Sequence, residues 1–230
     1  MIVSELALKS ANALATLPQG MGMLEGGTAQ DMTIPLAHLY QDTTQERRVF
    51  GSGFNPGDLV NIITLQPIAA RKFVVLNGWI DYEDKRENAP VRVSRNPAEW
   101  PDDDHKFLDR QDGKKPHPAV TKRMNFAVLF EGEDWPVVLR FKKTSLGAGR
   151  NLNTMLTMQR TKGTVGLFEY ATKEESGNNN TYIVPVIKPC GQPSGEMLGA
   201  ASTLYAMING VEVKVDEGDA SFNPDEFEHE

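Results

Sequence analysis

Cysteine is almost missing from this chain: Cys190 is the single one in 230 residues. One thiol can close no internal disulfide and build no thiolate zinc cluster, which points to a reducing, cytoplasmic compartment. Long apolar runs are missing too. No stretch approaches the roughly 18–20 residues that a membrane span needs. The opening MIVSELALKSANALATLP carries Glu5 ahead of any basic residue and breaks its apolar residues with polar ones, which argues against a signal peptide. Catalytic signatures are scarce as well. There are four histidines, His38, His105, His117 and His229, and no serine motif to pair with them. Cys190, in IKPCGQPSG, has no neighbouring histidine and reads as an inert thiol. The run TSLGAGRN leads from a strand through glycines into a helix, but it lacks the Gly-Lys-Ser/Thr ending of a nucleotide-binding loop. Asp102, Asp103, Asp104, His105 and His117 are ligand types for a divalent metal. Their spacing matches no zinc motif, and a solvated acidic loop is the simpler reading. A metal-dependent nuclease is the weakest alternative; the expectation is no enzyme, no metal and no cofactor.

Charge is present but unevenly placed. The formal net charge is −7, from 31 acidic and 24 basic residues, and the last fifteen residues, DEGDASFNPDEFEHE, hold seven acids and no base. The remaining 215 residues are therefore neutral. Such a segment repels itself and is expected to stay outside any core. The opposite extreme is PVVLRFKKTSLGAGRNLNTMLTMQRTKGTVGLF, residues 136–168, with six Lys or Arg and no Asp or Glu.

Hydrophobic patterning organises the rest. Residues 4–16 and the Gly-rich stretch after them read as an arm and linker over 1–30. A body over 31–212 contains β-like runs at 59–65, 72–80, 125–131, 136–143, 164–171 and 181–188, rich in Val, Ile and aromatics and bounded by Gly, Pro, Asn or Asp. GEDW joins the third and fourth as a hairpin loop. Two helices are expected. One spans about Leu146–Arg160 with Ser145 as N-cap and a Leu152, Met155, Leu156 stripe; the other spans about Ser194–Ile208, with Gly210 as its stop. Residues 81–123 read as a long polar insertion, and 213–230 as the acidic tail. The expected class is mainly β with two helices, a small barrel of the oligonucleotide-binding (OB) kind, with a β-sandwich as rival.

The basic segment reads as a polyanion surface. Alternate residues of a strand share a face, so Arg140 and Lys142 point one way and Leu139, Phe141 and Lys143 the other. Arg150, Arg160 and Lys162 carry the charge onward, and Arg71 and Lys72 join it from another strand. Cations hold phosphates while aromatics stack on unpaired bases. Trp79 and Tyr82 in NGWIDYEDKR are the leading stacking candidates, with Phe141 and Phe168 behind them. The partner so described is single-stranded DNA, bound largely without sequence preference. A tethered acidic tail would compete for the same groove at high effective concentration.

Four pieces carry a family resemblance: IPLAHLYQDTTQE, FNPGDLVNIIT, MNFAVLFEGEDWPVVLRFKKTSLGAGRNLNTMLT and TYIVPVIKPCGQPSGEMLGAASTLYAMI. Across about residues 31–209 the chain resembles proteins of tailed-phage replication modules, a group associated with single-stranded DNA binding. The resemblance implies an OB-type barrel that coats single strands in replication or recombination, in the host cytoplasm. Its acidic end is similar to the partner-recruiting tails of phage and bacterial single-strand-binding proteins, although this one ends in FEHE rather than on a terminal Phe. Relatives carry cysteine pairs in the region matching 81–123; there are none here, so no metal site is carried over. A homo-oligomer is compatible with that role. The rival from another class is a phage protein-interaction or structural component without nucleic-acid binding.

Overall fold

In this computed structural model residues 33–84, 90–100, 119–177, 180–209 and 213–216 are described. Among them the strands are β1 (Thr33–Leu39), β2 (Leu59–Asn61), β3 (Gln66–Pro67), β4 (Lys72–Asp84), β5 (Arg92–Ser94), β6 (Val120–Phe130), β7 (Val137–Lys142), β8 (Leu167–Gly177), β9 (Asn180–Gly191) and β10 (Lys214–Asp216). They pair into one mixed sheet in the order β3-β2-β1-β7-β6-β4-β8-β9, with β10 on β1 and β5 on β4. The helices are α1 (Thr44–Phe50), α2 (Leu146–Thr161) and α3 (Gly195–Ile208). The class is mainly β with helices, as expected. No helix among the described residues is long and apolar enough to cross a membrane.

The sheet is buried on both faces, and each face has its own helix. Along β6, Met124, Phe126, Val128 and Phe130 enter one apolar cluster, while Ala127 and Leu129 enter another. The first cluster takes Leu152, Met155 and Leu156 of α2; the second takes Met197, Ala201, Leu204 and Ile208 of α3. The period-2 alternation of the strand thus places α2 and α3 on opposite sides of the same sheet. Full burial of one such Leu or Phe contributes about 1.5–3 kcal/mol, so each helix is held by several strong anchors.

The sheet curls. β4 runs antiparallel to β6 along its whole length, with a bulge between Val75 and Asn77, yet it meets β8 only at Lys72 and Phe73. A bulge bends its strand and increases its twist. The curl brings the outer strand β9 back to the segment after β1. There the Gln41 side-chain amide acts as one strand residue: its Nε2 donates to the Ile183 carbonyl and its Oε1 accepts from the Ile183 N–H, both at 2.8 Å. Gly57 (φ +92°) lies so close to β8 that a Cβ there would sit 3.0 Å from Thr172 Oγ1. Two separate contacts therefore hold the open edge where a barrel would close.

Gln41 is itself held by the cap of α1. Thr43 and Glu46 form a reciprocal capping box, and Glu46, buried, also accepts from the Gln41 N–H at 2.9 Å and sits 2.6 Å from His38 Nε2. The Thr-Thr-Gln-Glu signature is visible in the sequence, in a stretch for which no element was expected.

Several boundaries differ from the sequence reading. β1, α1, β5 and β10 were not expected, and of the run 59–65 only Leu59–Asn61 is strand; a turn in which Leu65 adopts φ +53° follows, and β3 begins after the run, at Gln66. β4 continues to Asp84 and β6 begins at Val120, so both ends of the stretch read as an insertion are strand. Asp102–Asp104, His105 and His117 lie outside the described residues, as do the arm and the C-terminal segment beyond Asp216. Residues 214–216, read as tail, pair in parallel with Thr33–Pro35. Ser145 stands at the N-cap of α2 but makes no capping bond; its hydroxyl donates to the Lys142 carbonyl and accepts the Lys142 N–H instead, both at 2.8 Å.

Candidate nucleic-acid interface

α2 seats the basic segment. Its sixteen residues contain no acid, and each turns about 100° from the last. Leu152, Met155, Leu156 and Gln159 therefore face the sheet, while Arg150, Thr154, Thr157, Met158, Arg160 and Thr161 face solvent. The helix lies close because Gly149 has no side chain: a Cβ there would be 2.9 Å from Phe141 Cβ. The three threonine hydroxyls donate to carbonyls one turn back, at 2.9–3.0 Å, which leaves their methyls and oxygen lone pairs outward. Arg150 and Arg160 are separated by about 15 Å along the axis, and Lys162 follows the last turn. All three are exposed, and none has a carboxylate partner among the described residues.

The other cations of the segment go elsewhere. Phe141 and Leu139 pack beneath α2, so Arg140 and Lys142 project to the α3 side of the sheet. Arg140 Nε donates to Asn125 Oδ1 at 2.8 Å, and both Arg140 and Lys142 are half-buried. Lys143 is half-buried at the start of a one-turn 3-10 segment, with φ +48°. The six charges that are continuous in sequence are thus divided between two faces. Arg71 is paired with Asp58 at 3.4 Å, and Lys72 is exposed opposite Glu169.

The aromatic candidates divide as well. Phe141 is 1 % exposed and Phe168 0 %, which leaves neither a face for a base. Phe141 instead meets Phe126 edge-on at 5.8 Å. Trp79 is half-buried against the α3-side core, and Arg95 already covers its ring at 5.2 Å. Tyr82, half-buried, is opposite Lys122 on the α2 side, two residues along the strands from the Ile80–Met124 pair. Trp79 and Tyr82 therefore cannot stack bases on one surface. Lys122 is the residue that sequence reading missed here. Its alternation with the apolar positions of β6 was visible, but it fell inside the stretch taken for a loop.

The α3 side of the same strands becomes ionic past the Trp79–Asn125 pair. Arg123, 2 % exposed, donates from Nε to Asp81 and from Nη1 to Glu83 at 2.6 Å. A buried guanidinium between two carboxylates is a structural tie rather than an open binding surface. Among the described residues no group of three or more His, Cys, Asp or Glu is placed to hold a metal ion.

These features define a curled mixed sheet with one basic and one apolar helix on its two faces. The sequence matches the Pam3 phage gp34-like protein family over residues 7–214, most of its length, and the chain belongs to that family. A phage protein is what the resemblance implied; the family description carries no replication or DNA-binding role. No curated protein and no solved structure matches the chain.

Proposed function

We propose that this chain is a non-enzymatic single-stranded DNA-binding protein, acting in phage replication or recombination with little sequence preference. In this reading its curled sheet works in the manner of an oligonucleotide-binding barrel. The observation that carries the proposal is the solvent arc of α2: two arginines, small hydroxyl and amide side chains, a following lysine and no carboxylate, on a chain of net charge −7. Arg150, Arg160 and Lys162 hold phosphates, Lys122 extends the track, and Tyr82 offers a stacking face at the end where α2 begins. The acidic C-terminal segment competes for this track when DNA is absent and is released to recruit partners when DNA binds.

Fluorescence anisotropy of labelled oligo-dT against a matching duplex tests this. Single strands should bind more tightly, and affinity should fall with salt at a slope of about −0.7 per neutralised phosphate. A slope of about −2 to −3 fits the three cations at the α2 face with Lys122, whereas one near about −4 would restore all six of the basic segment to the interface. Arg150→Glu with Arg160→Glu should weaken binding at least about tenfold. Neutralising Asp219, Asp225, Glu226, Glu228 and Glu230 should tighten it. No binding at low salt would overturn the proposal in favour of a protein-interaction role.

A further inference from the structure

On the α2 face of the sheet, the side formed by β1, β2 and β3 is open. α2 lies over β6, β7 and β9. Beyond it a cleft of about 420 Å³ is walled by Pro35, Ile63, Pro67 and Trp135, a volume within the usual range of ligand sites. Its floor is the core that α2 covers, reached through Ile68 and Phe130. Ile63 is 49 % exposed and Trp135 46 %, so two large apolar side chains stand in solvent at the mouth.

The charge around this cleft is mostly of one sign. The β6–β7 turn is closed by the Glu133 N–H, which donates to the Phe130 carbonyl at 3.1 Å, with Gly132 at φ +83°. The turn presents Glu131, Glu133 and Asp134, all exposed, directly before Trp135. Glu133 itself lines the cleft. Asp216 is in register with Pro35, so the acidic C-terminal segment starts beside the β1 wall. Lys214, in register with Thr33, is the only base paired with a lining residue among the described strands.

We infer that the cleft docks an extended segment of a partner protein in which a proline or large apolar side chain is flanked by lysine or arginine. Charge complementarity selects that chemistry. The carboxylates of the turn repel the phosphates of a DNA strand, and equally the chain's own acidic end with Phe222 and Phe227. A basic segment gains at the same rim, while its apolar side chain fills the space between Trp135 and the prolines and excludes water there. Arg150, Arg160 and Lys162 line no part of the cleft, so the inference stands independently of the DNA-binding proposal.

Two blocked, fluorescein-labelled peptides, Lys-Pro-Leu-Pro-Lys and Glu-Pro-Leu-Pro-Glu, serve as probes, read by anisotropy against the full chain. The lysine peptide should bind below about 500 μM protein. Its binding should be at least about tenfold tighter than that of the glutamate peptide and should weaken with salt. Trp135→Ala, and separately Glu133→Lys with Asp134→Lys, should each weaken it at least about tenfold. Neither should lower the melting temperature, because all three side chains are exposed. No binding of the lysine peptide, equal binding of the two peptides, or binding unchanged by Trp135→Ala would overturn the inference. Other occupants would overturn it too: a nucleic acid if Trp135→Ala weakens oligo-dT binding instead, a second copy if Trp135→Ala abolishes self-association.

Discussion

α2 and α3 are similar in length, lie on the two faces of one sheet and bury comparable apolar stripes, yet their solvent arcs differ in charge. α2 shows Arg150, Thr154, Thr157 and Arg160; α3 shows Leu198, Tyr205, Ala206 and Met207. Packing explains the inward halves of both, because each must cover an apolar face of the sheet. It explains neither outward half, since a helix needs only one apolar stripe to dock. The unconstrained halves are therefore where the two helices differ: one arc carries cations and no carboxylate, the other no charge but Glu196.

The comparison can be broken most sharply at the sheet between the helices. The α3 side holds the buried Arg123 with Asp81 and Glu83. Arg123→Met strands two buried carboxylates and should cost roughly 3–5 kcal/mol, read as a lower urea midpoint. If the loss is under ~1 kcal/mol, the tie is not what holds that end of the sheet. Leu152→Ala, at a side chain 0 % exposed, removes the main anchor of α2 and should cost about 3 kcal/mol. Loss of oligo-dT binding should accompany it. Gly149→Ala presses a methyl onto Phe141 and should cost about 1 kcal/mol or more, unlike the same change at Gly147, where a Cβ meets nothing within 4 Å. Equal effects at the two glycines would remove the close approach as the reason for Gly149.

The smallest effect concerns neither helix, and so serves as a control. Arg47 donates to both Asp42 oxygens, at 2.7 and 2.6 Å, and holds that carboxyl below its usual pKa of 3.8; partial burial opposes the shift, and the Tyr40 hydroxyl adds to it. A depressed folded-state pKa contributes stability above the unfolded value and loses it as pH falls through the folded one. Asp42→Asn should therefore lower the melting temperature slightly at pH 7, and the difference should shrink as pH falls below 3.8. The pair is largely exposed, so the difference stays small.

Much of this was legible in the residues themselves. The Val- and Phe-rich runs became the central strands, GEDW turned the β6–β7 hairpin, and both long helices lie within a residue or two of their expected spans. Those signals are local: propensity, turn chemistry and alternation act over a few residues. Alternation also established that Arg140 and Lys142 share a face opposite Phe141. What it could not say is which face α2 would cover, because that depends on strands as far apart in sequence as β1 and β7, where Leu36 pairs with Val138. Only the assembled sheet placed α2 on Phe141, turned Arg140 and Lys142 away from Arg150, gave Trp79 to Arg95 and set the Gln41 amide against Ile183. The sequence by itself determined the elements and the inventory of charge; long-range strand pairing decided which charges could act together.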